Sequence, residues 1–596
     1  MAIKIIDTFR NPDNYVFIPA CCYAGNQFDV LPYSYPPMFR PEDAKIDMQV
    51  TVTDVPRLEK DGSGKIEVTT GDAAVPCVGV FSPSAGRAVL VFTVQQIEGR
   101  NIGLAYEGGK IPLTWPARRE KVYGMTKLFE NLSQWEDLPA EIPCRVLDFP
   151  CESLARFFRV FFENRKIMGM DASPPKTLSP EKQAEIQLKK FNEMNWHEGL
   201  GIYMVGTDRS HFQVWQPGWV GGAMSGYALM KLGGKRETER AISTLCFLFS
   251  TQCESGFFHG VADNEGNFFG DGFNVEGAER WHLLRKSADV LAFLFKHFDL
   301  MKKKGIPIPN EFAEGARRTA DGFVRLWKKY GQFGQFVDVH TGEIRVGGSA
   351  GPASACAGLA KASAYFGEPE YLRVAEEAAQ SYYDGFLSKG YTVGGPGEIL
   401  QCPDSESAFG LLESFAVLYE TTQNPKWLGY AKECADFCSS WVVSYNYRFP
   451  EKSEFGRHGM KSVGTVFANV QNKHSAPGIC TFSGDSLLKL ARWTGDPLYR
   501  ELIEDIALSI PQFLSTDENP IYDWNTDPAL RDGDPALIES HKLPAGFINE
   551  RVNLSDWEGE RCVGGVFNGS CWSETSNLLT LAEVVPFSDV SLLHSF

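Results

Sequence analysis

The chain has 596 residues, 43% apolar and 22% charged, with a formal net charge of −17. That length exceeds one ordinary domain, and the composition excludes a disordered chain. The acidic balance disfavours nucleic acid as a partner, and no run approaches the roughly 18 apolar residues that cross a bilayer.

The N-terminal stretch MAIKIIDTFRNPDNY has no apolar run behind a basic start, so it reads as cytoplasmic, without a secretory leader. Residues 1–147 read as a β-sandwich domain. The expected strands are IDMQVTVTDV (46–55), GKIEVTT (64–70), CVGVF (77–81), AVLVFTVQQ (88–96) and CRVLDF (144–149), separated by clusters such as DGSG and SPSAG. Near Cys151 the apolar period changes, and ESLARFFRVFFENRKIM and EKQAEIQLKKFNEMN take helical spacing.

Residues 148–596 carry a degenerate repeat. Gly367-Glu368-Pro369, Gln423-Asn424-Pro425 and Gly495-Asp496-Pro497 each close one apolar helix and open another with proline near the first helical position. One set of helices, starting near Pro217, Ala278, Pro352, Asp404, Pro477 and Glu574, is rich in glycine and alanine and is placed inside. The more highly charged set is placed outside. Six inner and about six outer helices make an (α/α)6 toroid, so the fold class is α+β multidomain. An open solenoid would need a more regular period.

The long connections, at about 252–278, 329–351, 387–403, 444–476 and 516–572, all lead into inner helices. They therefore gather on one rim, where unpaired N–H groups and positive dipole ends suit an anionic ligand group. Arg209, His211, Trp215 and His259 are candidate substrate-binding residues, since aromatic and polar interleaving fits a sugar cleft. Loop packing is the alternative. Among Glu398, Asp404 and Glu406 two are expected to serve as acid and base, with Asp271 or Glu574 as the second carboxylate if only one points inward. The competing reading makes Asp404 a helix cap and Glu406 a first-turn dipole partner. Lys473, His474, Arg209 and Arg345 are candidate grips on a substrate carboxylate. Asp485 is expected two turns inside its helix and structural. The fourteen cysteines include Cys246, Cys356, Cys434 and Cys438 within helical patterns and no CxxC pair, so free thiols are expected, with no metal site and no cofactor.

GGPGEILQCPDSESAF, FANVQNKHSAPGI and HFQVWQPGWVGG together resemble the six-hairpin glycosidases. They look most like a bacterial β-glucuronidase-type group with an N-terminal β-sandwich, as does YVFIPACCYAGNQF followed by YSYPPMF. The resemblance implies removal of a terminal uronic acid from a polysaccharide. It carries over no catalytic pair. The expected function is thus an exo-acting glycoside hydrolase working through carboxylate acid/base catalysis on an oligosaccharide or polysaccharide, with a homo-oligomer left open. A polysaccharide lyase or unsaturated-uronyl hydrolase on the same toroid, and a non-catalytic carbohydrate-binding protein, are the competing readings.

Overall fold

The structure is a computed structural model. It describes residues 2–33, 39–119, 141–169, 172–175, 177–209, 213–272, 274–397, 400–480, 482–523, 539–559, 562–567 and 570–585. Eight strands near the N terminus form two four-stranded antiparallel sheets. These are β1 (Ala2–Asp7), β2 (Tyr15–Phe17), β3 (Lys65–Thr69), β4 (Cys77–Ser82), β5 (Arg87–Thr93), β6 (Gly103–Glu107), β7 (Lys110–Trp115) and β8 (Cys144–Pro150). One sheet has the order β1-β7-β6-β3 and the other β8-β5-β4-β2. Both feed one buried apolar cluster, with Val68, Leu104 and Leu113 from the first and Val16, Val80 and Val91 from the second. The strand expected over 46–55 shrinks to Thr51–Val52, which pairs in parallel with Asp29–Val30. The β-branched run there is spent on packing against other loops. Strand β8 runs through the boundary expected at 147.

Thirteen helices follow that matter here. They are α1 (Leu154–Asn164), α2 (Pro180–Glu193), α3 (Gly222–Leu232), α4 (Lys235–Ser250), α5 (Leu284–Lys303), α6 (Asn310–Tyr330), α7 (Ala355–Phe366), α8 (Pro369–Gly385), α9 (Ser405–Thr422), α10 (Pro425–Cys438), α11 (Asp485–Thr494), α12 (Pro497–Ser509) and α13 (Trp572–Glu583). Helices α3, α5, α7, α9, α11 and α13 form the inner ring. Helices α4, α6, α8, α10 and α12 each pack outside the inner helix before them, and α2 packs outside α13. Helix α13 also packs on α3, and Ser483 before α11 donates to Glu583 at the end of α13 (2.6 Å), so the ring closes.

The local signals act as their chemistry requires. Pro369, Pro425 and Pro497 occupy first-turn positions, where the missing N–H costs nothing. Asn424 and Asp496 cap α10 and α12 by accepting from Lys426 and Leu498 N–H at 3.0 Å each. Small residues line the ring because its helices nearly touch. A Cβ on Gly358 of α7 would stand 2.7 Å from Leu291 Cγ of α5. Several inner helices begin later than expected: α3 at Gly222, α5 at Leu284, and α11 at Asp485 rather than Pro477. Asp485 is therefore the first residue of its helix and not two turns inside it. The prolines open extended or 3-10 turns, as at Gly351–Ser354, because the preceding segment pairs with a neighbouring loop before the helix starts. On the rim, Trp281–Leu283 (β9), Phe336–Asp338 (β10) and Ile344–Val346 (β11) add a small antiparallel sheet.

Helix α1 joins the strands to the toroid. Its apolar face presents Phe157, Phe158, Phe161 and Phe162, all buried. Phe17 of β2 meets Phe161 at 5.1 Å, and Phe158 meets Phe437 of α10 at 5.2 Å between ring centres. Tyr23 stacks on Trp441 at 4.7 Å, and Tyr15 Oη donates to the Gly390 carbonyl at 2.5 Å. A buried guanidinium, Arg119, pairs with Asp72 (2.7 Å) on the strand side and with Asp556 on the toroid side. All fourteen cysteines are free thiols, ten of them buried. Among the described residues no helix is long and apolar enough to cross a membrane.

Candidate functional site

The two mouths of the toroid differ in how their polar groups are satisfied. Within the ring, by the last turns of α3, α5 and α13 and the first turns of α11, a cavity of about 220 Å³ is lined by interleaved lysines and carboxylates. Lys296 lies between Glu413 (3.4 Å) and Glu583 (3.1 Å), and Lys489 between Glu420 (3.2 Å) and Asp485 (3.0 Å). The opposite rim, at the N termini of the inner helices other than α11, holds buried polar atoms without hydrogen-bond partners: Trp219 Nε1, His259 Nδ1, Gln335 Oε1, Gln401 Oε1, Asn469 Nδ2 and Asn472 Oδ1. Buried polar atoms are nearly always paired in folded proteins, and exceptions concentrate where a ligand completes them.

Three non-glycine residues with positive φ lie on the same rim. Trp219 and Leu400, close to the starts of α3 and α9, and Lys473, in the loop that pairs with the start of α9, have φ of +66°, +57° and +54°. Bulky side chains rarely adopt these angles, and such outliers cluster at functional sites.

The first turn of α5 places Arg285 and Lys286 at a positive helix end, where cations are unfavourable unless neutralised. Each has a counter-ion. Arg285 bonds the Glu406 carboxylate in the first turn of α9 and lies 3.6 Å from Asp289 one turn along its own helix. Lys286 bonds Asp271 and donates to the Gly260 carbonyl at 3.1 Å. The Trp219 ring covers both cations, at 5.9 Å from Arg285 and 5.6 Å from Lys286. Its backbone N–H donates to Asp289 at 3.2 Å. Burial pushes the Asp289 carboxyl up to about 6 against the pull of Arg285, the Ser354 hydroxyl (2.9 Å) and that N–H.

Asp404 is fully buried and caps α9. It accepts from Ser407 N–H (2.7 Å), the Ser407 hydroxyl (3.0 Å) and Gly395 N–H (3.1 Å). Burial pushes its carboxyl up to about 6, with those hydrogen bonds and Arg285 pulling back. Glu406 is its near neighbour in sequence but faces a guanidinium. Two carboxyl groups at one helix start thus sit in opposite electrostatic surroundings. Asp271 is different again: burial opposes its charge, but Lys286 and His282 (3.3 Å) prevail and hold it well below the ordinary carboxylate range.

His259 lies beside Asp271 on the same rim. It stacks on Phe268 (5.8 Å) and meets His340 edge-on (5.4 Å). Burial, with His340 and His282, pushes it down to about 4, so it is neutral at pH 7. His474 is buried and also pushed down to about 4, by burial and then by Arg551. Lys473 is fully buried, donates to the Val470 carbonyl and lies 5.3 Å over the Trp557 ring.

The structure brings Asp404, Glu406, Asp271 and His259 to this rim and places several other candidates elsewhere. Trp215 is fully buried in the wall, edge-on to Phe247 at 5.0 Å. Arg209 is exposed and donates to the Trp196 carbonyl at 3.2 Å. Arg345 bonds Asp338 (3.3 Å) beside a surface pocket of about 480 Å³. Glu574 pairs with Lys190 at 2.8 Å, where burial pushes its carboxyl up and Lys190 opposes the shift. Glu398 and His211 lie outside the described residues. Sequence reading missed Arg285, Lys286, Asp289 and Trp219. The available signal was the adjacent Arg285-Lys286 pair at a helix start, where cations are out of place. Among the described residues no group of three or more His, Cys, Asp or Glu side chains could hold a metal ion.

No family model matches the chain, and no curated protein matches it in sequence. Solved structures of similar shape include a D-mannose isomerase (TM-score 0.43, 11% identity, covering 68% of this chain and 96% of the other). A GH76 α-mannanase of Bacteroides thetaiotaomicron gives 0.44 at 12% identity, covering 70% and 98%. An unsaturated glucuronyl hydrolase of Bacillus sp. GL1 gives 0.38 at 15% identity, covering 68% and 94%. At these values the likenesses carry no inference about activity.

Proposed function

We propose that the chain is a carbohydrate-active enzyme, a glycoside hydrolase that removes a terminal uronic acid from a glycan. One observation carries the reading: Asp404 and Glu406, at one helix start on the polar rim, differ in their surroundings, Asp404 being buried with its carboxyl pushed up to about 6 and Glu406 being bonded to the Arg285 guanidinium. Glycosidic cleavage needs one protonated and one ionised carboxyl group, and such an asymmetry assigns the roles. Asp404, whose carboxyl is held to about 6, is the general acid that delivers a proton to the leaving oxygen. Glu406, facing the Arg285 guanidinium, is the carboxylate that activates water or attacks the anomeric carbon. Arg285 positions Glu406. The uronate preference is supported by the positive N-terminal ends of inner helices on this rim; Arg285 and Lys286, already paired with Glu406 and Asp271, add no free charge to it.

A panel of aryl glycosides and aryl uronides, with released phenol as readout, tests this. Hydrolysis of a uronide by the wild type and its loss in Glu406→Gln is expected. A wild type inert across the panel would end the hydrolase reading. His259, neutral and with Nδ1 unpartnered, favours a second reading in which a histidine base drives β-elimination. Ultraviolet absorbance of an unsaturated uronate product, in place of a reducing end with no double bond, separates the two.

A further inference from the structure

The strand-rich N-terminal segment sends one loop, residues 51–55, onto the rim. Thr53 N–H donates to Gln471 Oε1 at 2.7 Å, and the Thr53 hydroxyl donates to the Tyr33 carbonyl at 2.6 Å. Segment 469–473 is in turn tied to the start of α9. Ser405 N–H donates to the Ala468 carbonyl (2.9 Å), Val470 N–H donates to the Pro403 carbonyl (3.1 Å), and Asn469 pairs with Asp404 along the backbone. The loop from the N-terminal segment is therefore one layer away from Asp404.

Asp54 sits at this seam with no exposed surface, and neither carboxylate oxygen has a hydrogen-bond partner in another residue. Its neighbours show the same condition. Tyr33 Oη and Thr51 Oγ1 on the N-terminal side, and Asn469 Nδ2 and Asn472 Oδ1 on the toroid side, are buried and unpartnered. Lys473 is the cation that acts on Asp54, but its ammonium group donates to Val470 and faces Trp557. Burial pushes the Asp54 carboxyl up to about 7, with its own backbone N–H and Lys473 pulling back.

A buried carboxyl group without a partner is a standing cost to folding. One such group is an accident of packing. Five unpartnered polar side chains from two halves of the chain, meeting at one seam beside a candidate acid, form a polar surface that lacks its complement. Sugar hydroxyls, which both donate and accept, are that complement. We propose that Asp54 is a sugar-binding residue supplied by the N-terminal segment, accepting hydrogen bonds from glycan hydroxyls at a subsite next to Asp404. This rests on the carbohydrate reading above, and it makes the strand-rich segment part of the site and not an appendage.

The test compares wild type, Asp54→Asn and Asp54→Leu in thermal unfolding and in kinetics on the aryl glycoside that the wild type cleaves best and on an oligosaccharide with the same terminal sugar. A carboxyl that serves only a ligand can be removed without loss of stability, so Tm should stay level or rise in both variants. The kcat/KM on the oligosaccharide should fall at least 10-fold in Asp54→Leu, mainly through KM, since a site built for a hydroxyl discriminates strongly when a partner is removed. A clear drop of Tm in both variants would show that the carboxyl holds the fold, and overturns the proposal. Unchanged kcat/KM on both substrates overturns it too, while leaving the hydrolase reading standing. A wild type inert on every carbohydrate removes both together.

Discussion

Replacing Asp404 by asparagine separates its work as a helix cap from its work as a proton carrier. Asparagine caps helices about as well as aspartate, and its Oδ1 can still accept from Ser407 N–H, so α9 should persist. What disappears is titration. The carboxyl is raised from its ordinary 3.8 to about 6 in the folded chain. At about 1.4 kcal/mol per pH unit, that is roughly 3 kcal/mol. Because the folded value lies above the unfolded one, this stabilisation is fully present below about pH 4 and is lost as pH rises through 6. The asparagine variant has nothing to lose over that interval. The stability difference between variant and wild type should therefore move by about 3 kcal/mol in favour of the variant between pH 4 and pH 7.5. Unfolding entropy of about 2.1 cal/mol/K per residue converts this to a relative shift of about 2–3 °C in Tm for a cooperative unit of this chain's 596 residues. Calorimetry of both proteins at several pH values measures it, since the other titrating groups cancel in the difference. Parallel Tm–pH curves would refute the claim that Asp404 holds a proton near pH 6. Turnover should fall by roughly 10²–10⁴ at every pH. Normal turnover with divergent stability curves would remove Asp404 from the chemistry and leave it as a buried cap.

Glu406→Gln should lower turnover by a similar factor of about 10²–10⁴ and leave Arg285 without its main counter-ion, visible as a lower Tm in the same scans. Lys190→Met should cost about 3–5 kcal/mol by stranding the Glu574 carboxylate, and Lys190→Met with Glu574→Leu should recover most of it. A double variant no more stable than the single one would show that the pair is not the issue. Phe158→Ala removes a ring held between Phe17 and Phe437 and should cost about 3–5 kcal/mol in denaturant unfolding. Gly358→Leu should prevent the close approach of α7 to α5 and abolish soluble expression, whereas Gly429→Leu, with nothing near its Cβ on α10, should not.

The sequence alone marked the turns between helical hairpins, because those turns rest on local physics. Proline at the first turn, asparagine or aspartate at the cap and glycine after the last turn act within a few residues, and they marked the hairpins around 367–371, 423–427 and 495–499. The glycine and alanine content of the inner helices also declared the ring, since only small side chains let helix axes come so close. The rim followed from loop lengths. The tertiary structure decided what those loops do. Asp404 and Glu406 stand two residues apart in similar local sequence, yet burial raises the carboxyl of one while the other bonds a guanidinium from α5, 121 residues earlier. The fates of Lys473, His474 and Trp215 were likewise set by which distant segments covered them. Trp557 faces the lysine, Arg551 acts on the histidine, and the tryptophan ring is buried in the wall against Phe247. Asp54 shows the limit most plainly. Within its own stretch, TVTDV, it reads as part of a strand, and only its placement against segment 469–473 leaves it buried without a partner in another residue. Charge state and burial depend on distances across the chain, so local pattern marks the turns between helices but neither where several inner helices begin nor how a buried carboxyl group titrates.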